Sequence, residues 1–173
     1  MQLIVSGRFI ENPWQERDEL RDYTVLTPQR AQQLLAVGAH HPQHLGLHLH
    51  AATDLEIPAI VLESVCLVVI EFDASGDGRS FSVAAKLRSA GFNGELRARG
   101  PLLADQYPQL RASGFDSVEI PDELAARHTE PDWYKAYHHF PLRYQAGLPG
   151  LTSILHRRHD TVIDAGSLTS QQR

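Results

Sequence analysis

Cysteine is almost missing: Cys66 is the only one in 173 residues, so no intrachain disulfide can form and a reducing cytoplasm is the expected compartment. It lies in the apolar run VCLVVI, where a small buried thiol is expected rather than a nucleophile. Long apolar runs are missing too. None approaches the roughly 20 residues that cross a bilayer, and the opening MQLIVSGRFIENPW has neither the basic nor the apolar part of a secretory leader. Positive charge is not in excess, with Lys+Arg 16 against Asp+Glu 21 and a net charge of -5. That balance leaves no footprint for nucleic acid or an anionic membrane. The phosphate-loop, dinucleotide, HExxH and GxSxG patterns are all absent, so no residue run names a cofactor or a metal.

What is present suits one α/β domain over residues 1–150, followed by a polar tail, 151–173. LIVSG and RDYTVLT read as a short N-terminal strand pair, and Thr27-Pro28 as the cap and first residue of a helix ending at Gly38. From residue 45 strands and helices alternate. LGLHLH, VCLVVIEF, GELRARG and DSVEIP are strands. Between them lie three helices: TDLEIPAIVLES, with Thr53 or Asp54 as cap; RSFSVAAKLRSAG; and PLLADQYPQLRASG, starting at Pro101. Such alternation predicts parallel β-α-β units. A helical, aromatic-rich segment follows residue 121.

Strand side chains alternate between faces, so residue parity sorts them. One face collects Leu47, Leu49, Val68, Ile70, Phe72, Leu96, Ala98, Val118 and Ile120. The other collects His48, His50, Leu67, Val69, Glu71, Glu95, Arg97, Arg99, Ser117 and Glu119. A sheet covered by helices on both sides reads as continuous apolar runs, and this one does not. The expectation is therefore a half-(β/α)-barrel with helices mainly on one face. Its polar face is covered by the N-terminal strands, the C-terminal segment or a second subunit, or is left open. Sequential neighbours would set Glu71, Arg97 and Glu119 side by side near the strands' C-terminal ends, where such folds bind ligands. Those charges either form a site or satisfy one another.

The loop DASGDG opens onto a helix, and Asp77, Arg79 and Ser82 there form either an anion-holding mouth or a helix cap. Asp105 and Gln106 fall near the same rim. Of the ten histidines, five cluster at residues 40–50 without zinc-site spacing, so no metal is expected. Trp133, Tyr134, Tyr137, Phe140 and Tyr144 have roughly helical spacing and read as packing or a homo-oligomer interface.

The run formed by Phe72, Asp77-Gly78-Arg79, Ser82, Leu87-Arg88, Gly94 to Ala98, Gly100, Leu103, Asp105-Gln106 and Gly114-Phe115-Asp116 is distinctive. It resembles a bacterial family of uncharacterised function, encoded beside sulfite reductase and assigned an oxidoreductase role in sulfite reduction. The likeness covers residues 45–120, and Phe140 with Tyr144-Gln145 resembles the family's closing signature. Where the family commonly reads FPKF and GDVLRDQ, this chain has FDASG and GPLLADQ, with less charge. The resemblance implies a cytoplasmic accessory protein of assimilatory sulfite reduction, binding a small sulfur oxyanion or sulfite reductase itself. Asp77, Arg79, Ser82, Arg97, Asp105 and Gln106 would line the site, with Glu71 and Glu119 beside them. An oxidoreductase or other acid-base enzyme at the same rim, and a structural interaction protein without a ligand, are the alternatives.

Overall fold

The computed structural model describes residues 1–138 apart from 18, 20, 37–41, 51–56, 58 and 77. Its first strands, β1 (Gln2–Val5) and β2 (Arg8–Ile10), form an antiparallel hairpin in which Val5 faces Arg8. The two turn residues, Ser6 and Gly7, both have positive φ, 51° and 76°. That is the backbone of a two-residue turn whose twist matches the strands it joins. The pairing of LIVSG with RDYTVLT is thus corrected. RFI takes that place, because the turn closes within two residues.

The displaced RDYTVLT supplies β4 (Thr24–Leu26) at the opposite end of the sheet, beside β3 (Gln15–Glu16), which forms in the stretch expected to be only a connection. Then follow α1 (Pro28–Ala36), β5 (Leu45–His50), α2 (Ala59–Glu63), β6 (Leu67–Glu71), α3 (Gly78–Ser89), β7 (Glu95–Arg99), α4 (Tyr107–Ala112) and β8 (Ser117–Ile120). Two further helices, α5 (Asp122–Ala125) and α6 (Glu130–His138), complete the described chain. The eight strands are ordered β2-β1-β8-β7-β6-β5-β4-β3. All neighbours from β3 to β8 are parallel, and β1 joins β8 antiparallel. The sheet curls into a half-barrel, as the one-sided polarity predicts.

One helix start differs from expectation. Pro101 does not open a helix: a 3-10 turn occupies Ala104–Gln106, and α4 begins at Tyr107 with Pro108 in its first turn. The Gln106 side chain supplies the reason, since its Oε1 accepts the Leu103 N–H at 3.0 Å and holds a turn before the helix. The caps Thr53 and Asp54, and Gly38, lie outside the described residues; α2 runs from Ala59.

Leu47, Leu49, Val68, Ile70, Phe72, Leu96, Ala98, Val118 and Ile120 are buried beneath the helices together with Val83, Ala84, Leu87 and Leu110. Each of the Val, Leu, Ile and Phe side chains among them contributes about 1.5–3 kcal/mol through burial. α6 adds Trp133, fully buried and edge-on to Tyr107 at 5.5 Å, while Glu130 accepts the Phe9 N–H at 2.9 Å and ties the helix to β2. Burial raises the Tyr107 phenol above its usual pKa. Tyr137 packs on the same cluster and Tyr134 is exposed; Phe140 and Tyr144 lie outside the described residues.

The sheet's other face is covered by the N-terminal segment. Trp14 packs on Val25, Leu67 and Val69, and Gly46 leaves room for it: a Cβ there would stand 3.2 Å from the indole. Cys66 is half-buried at the edge of this region, its Sγ 3.6 Å from the Leu45 carbonyl, and burial pushes its thiol pKa up.

Candidate functional site

Strand register decides which charges meet on the inner face. Glu71 lies opposite Arg99, and Arg99 opposite Glu119, so these three form the row nearest the strands' C-terminal ends. Arg97 stands one step back, between Val69 and Ser117. It shares the face expected for it but not the row. The one-step difference keeps parity and changes neighbours, which is why parity alone did not distinguish Arg97 from Arg99.

Arg97 is 1% exposed and fully engaged. Its Nε and Nη2 donate to Glu95 Oε1 at 3.1 and 2.9 Å, its Nη1 to Asn12 Oδ1 at 3.0 Å and Glu119 Oε2 at 3.4 Å, and its Nε also to Ser117 Oγ at 3.3 Å. Arg99 donates to Glu119 Oε2 at 3.3 Å and to Glu16 Oε1. Burial alone would lower the Arg99 pKa; the charges of Glu119, Glu16 and Glu71 and the hydrogen bond that Arg99 donates to Glu16 outweigh it and raise it. Past Arg99, His48 has Nε2 2.8 Å from Glu71 Oε2 and Nδ1 3.7 Å from Glu16 Oε1. The His50 ring lies 4.8 Å from that of His48. A chain of alternating charge thus runs from Glu95 through Arg97, Glu119 and Arg99 to Glu16, and the His48 imidazole stands between Glu16 and Glu71.

Glu16 shows how far this chain sets protonation. Partial burial works to raise its pKa, but the hydrogen bond and charge of Arg99, with smaller contributions from His48 and His50, bring it below the ordinary glutamate value. A folded pKa below the unfolded one gives stability that is present above the ordinary value and fades as pH falls through the lowered one. Glu16→Gln is therefore expected to be less stable than wild type at pH 7, with the gap closing as pH drops through that acid window. Urea midpoints at stepped pH test this, and a gap constant with pH would contradict it.

The rim residues divide into two groups. Arg79 and Ser82, in the first turns of α3, are exposed, as is Asp105; Arg79 lies 3.8 Å from Asp73, both mostly in solvent. Asp77 lies outside the described residues. Gln106 instead serves the backbone, donating from Nε2 to the Ser75 carbonyl at 2.6 Å besides holding Leu103. The hydroxyl that ties α3 to the sheet is that of Ser80, which donates to the Glu71 carbonyl at 2.8 Å.

Arg88 is the residue that sequence reasoning passed over. From α3 its guanidinium reaches the carbonyls of Phe92 and Gly94 at 2.9 Å and of Gly114 at 2.9 and 3.1 Å, and pairs with Asp116. Asp116 Oδ2 also accepts the Leu96 N–H at 2.8 Å. Gly114, at φ +101°, leaves space for this side chain, since a Cβ would meet Arg88 Cγ at 2.9 Å. At Gly100, φ +142°, an added Cβ would collide with the Phe72 carbonyl. The LR, GELRA, DQ and GFD parts of the sequence run therefore hold loops and strand ends together.

A cavity of about 220 Å³ opens where β4 ends, beside β3 and β5. Glu16, Arg17, Arg30 and His48 supply its polar wall, and Val25, Leu26 and Thr27 the rest. Of these only His48 stood out in the sequence; Glu16, Arg17 and Arg30 reach the site from segments that carry no motif. Among the described residues no group of three or more His, Cys, Asp or Glu is placed to hold a metal, and no helix is long and apolar enough to cross a membrane.

No curated protein shows significant similarity to the chain. Residues 46–154 match the profile of a family described as bacterial proteins of unknown function, DUF934, and with most of its length so matched the chain belongs to that family.

Proposed function

We propose that this chain is an accessory protein of assimilatory sulfite reduction that acts by docking on sulfite reductase with the exposed rim at the mouth of α3. One observation carries the reading: the family-like residues separate into a set engaged by the fold and a set that faces solvent. Arg88, Gly94, Glu95, Arg97, Gly100, Gln106 and Asp116 all have internal structural work. Gly78, Arg79, Ser82 and Asp105 are exposed on the rim. Gly78 is not required by its surroundings, since a Cβ there would meet nothing within 4 Å, and its φ is not in the left-handed region. An exposed turn without bulk, flanked by charge and hydroxyl, suits close approach by another protein's backbone. The pair formed by Arg79 and Asp73 is too exposed to contribute much stability, so these charges are cheap to re-pair across an interface.

The test is direct binding of the purified full chain to sulfite reductase by biolayer interferometry. Wild type is expected to bind at micromolar concentration or tighter. The charge reversal Arg79→Glu, combined with Ser82→Arg, is expected to weaken binding by about tenfold or more without changing the unfolding midpoint. Absence of wild-type binding at micromolar concentrations overturns the proposal, as does full binding by the double variant.

A further inference from the structure

The cavity at the end of β4 lies away from the rim just discussed, and its wall carries charge of both signs. Glu16, Arg17, Arg30 and the His48 imidazole share that wall with the buried, apolar Val25 and Leu26. Two of these groups are acceptors that do not satisfy one another. His48 Nε2 lies 2.8 Å from Glu71 Oε2, and a carboxylate only accepts. The hydrogen of the neutral ring therefore sits on Nε2, and Nδ1 presents its lone pair. Glu16 Oε1 stands 3.7 Å from that Nδ1, beyond hydrogen-bond length. Glu16 is ionised at neutral pH, since its pKa lies below the ordinary glutamate value. An acceptor nitrogen and an acceptor oxygen so placed call for a donor that bonds both.

One donor atom can stand at ordinary hydrogen-bond distance, about 2.9 Å, from two atoms 3.7 Å apart. A primary ammonium does so with hydrogens to spare, and its charge matches that of Glu16. Arg17 supplies the opposite half of the cavity. A guanidinium carries five donor hydrogens in a planar fork, and the bond from Nη2 to Gln15 Oε1 uses one of them. That fork suits a carboxylate. Val25 and Leu26 add apolar surface for a short side chain. At about 220 Å³ the cavity is smaller than the 300–1,000 Å³ typical of drug-sized ligands, so its occupant is compact. It also opens where β4 ends, and the C-terminal ends of parallel strands are where such sheets bind ligands. We infer that this cavity binds a free α-amino acid with a small side chain, its ammonium held by Glu16 and His48 and its carboxylate by Arg17. The site is separate from the docking rim and does not depend on that reading.

The test titrates the full chain calorimetrically at neutral pH with glycine, L-alanine, L-serine and L-valine. Methylammonium and acetate, the two halves of such a ligand, are titrated at matched ionic strength. At least one amino acid is expected to bind saturably, about tenfold or more tighter than either half. N-acetylation of that amino acid removes the ammonium, and Arg17→Gln removes the fork. Each is expected to weaken binding about tenfold or more. Arg17 is exposed, so the unfolding midpoint of Arg17→Gln is expected to match that of wild type. The acetylated ligand tests the Glu16–His48 half without altering the protein. Lack of saturable binding by all four amino acids overturns the inference. So does binding of acetate or methylammonium as tight as that of the best amino acid, which would mean a site for one charge only. Undiminished binding by either Arg17→Gln or the N-acetyl analogue overturns it as well. Docking on sulfite reductase is expected to be unchanged in Arg17→Gln, so either proposal can fail alone.

Discussion

Arg97→Ala is expected to lower the unfolding free energy by about 3–5 kcal/mol, the cost of breaking a buried ion pair by removing one partner. The side chain is 1% exposed, and its loss takes both the cation and its volume from the inner face. Glu119, only 4% exposed, would keep Arg99 alone, while Glu95 and Asn12 would lose their guanidinium donor. A hydrophobic replacement of similar length behaves differently. Arg97→Met with Glu95→Gln fills the space and removes one of the stranded charges, and is expected to recover more than half of the loss. Urea unfolding followed by circular dichroism measures both. A cost below about 1 kcal/mol for Arg97→Ala would show that these charges are held by water rather than by each other.

Arg88→Ala is expected to cost about 2–4 kcal/mol, through the loss of charge-assisted hydrogen bonds to three carbonyls and one carboxylate. These partners lie in the connection from α3 to β7 and in the approach to β8, so one side chain fixes two chain reversals. Asp116 would keep its bond to the Leu96 N–H but lose the cation beside it. Arg88→Lys tests geometry against charge. An ammonium cannot reproduce a planar fork, so lysine is expected to restore less than half of the lost stability. Equal stability of the lysine variant and wild type would mean that charge alone matters here. Neither variant touches the rim or the cavity, so a change in binding to sulfite reductase or to an amino acid would have to arise through unfolding.

The two residues also show what kind of information each level holds. Alternation along VCLVVIEF, GELRARG and DSVEIP was enough to place Leu96 and Ala98 under the helices and Glu95, Arg97 and Arg99 on the opposite face, because a strand's side-chain period is a local property of the backbone. One-sided polarity likewise implied the half-barrel. The N-terminal pairing was readable as well, in Ser6-Gly7, but turn chemistry outweighed the strand-like look of RDYTVLT.

Register, by contrast, is set by how loops and packing slide one strand along the next, and local alternation is blind to any even shift. Only the tertiary structure set Arg99, not Arg97, between Glu71 and Glu119. It alone brought Asn12 and Glu16 across more than eighty residues to those arginines. It also gathered Arg17, Arg30 and His48 at one cavity, from a short-stranded segment, a helix and a strand that share no motif. From its residues alone, this protein has a determined fold class and a determined polar face. Which charges on that face are engaged by the fold, and which remain for a ligand, is a matter of long-range geometry that no local pattern encodes.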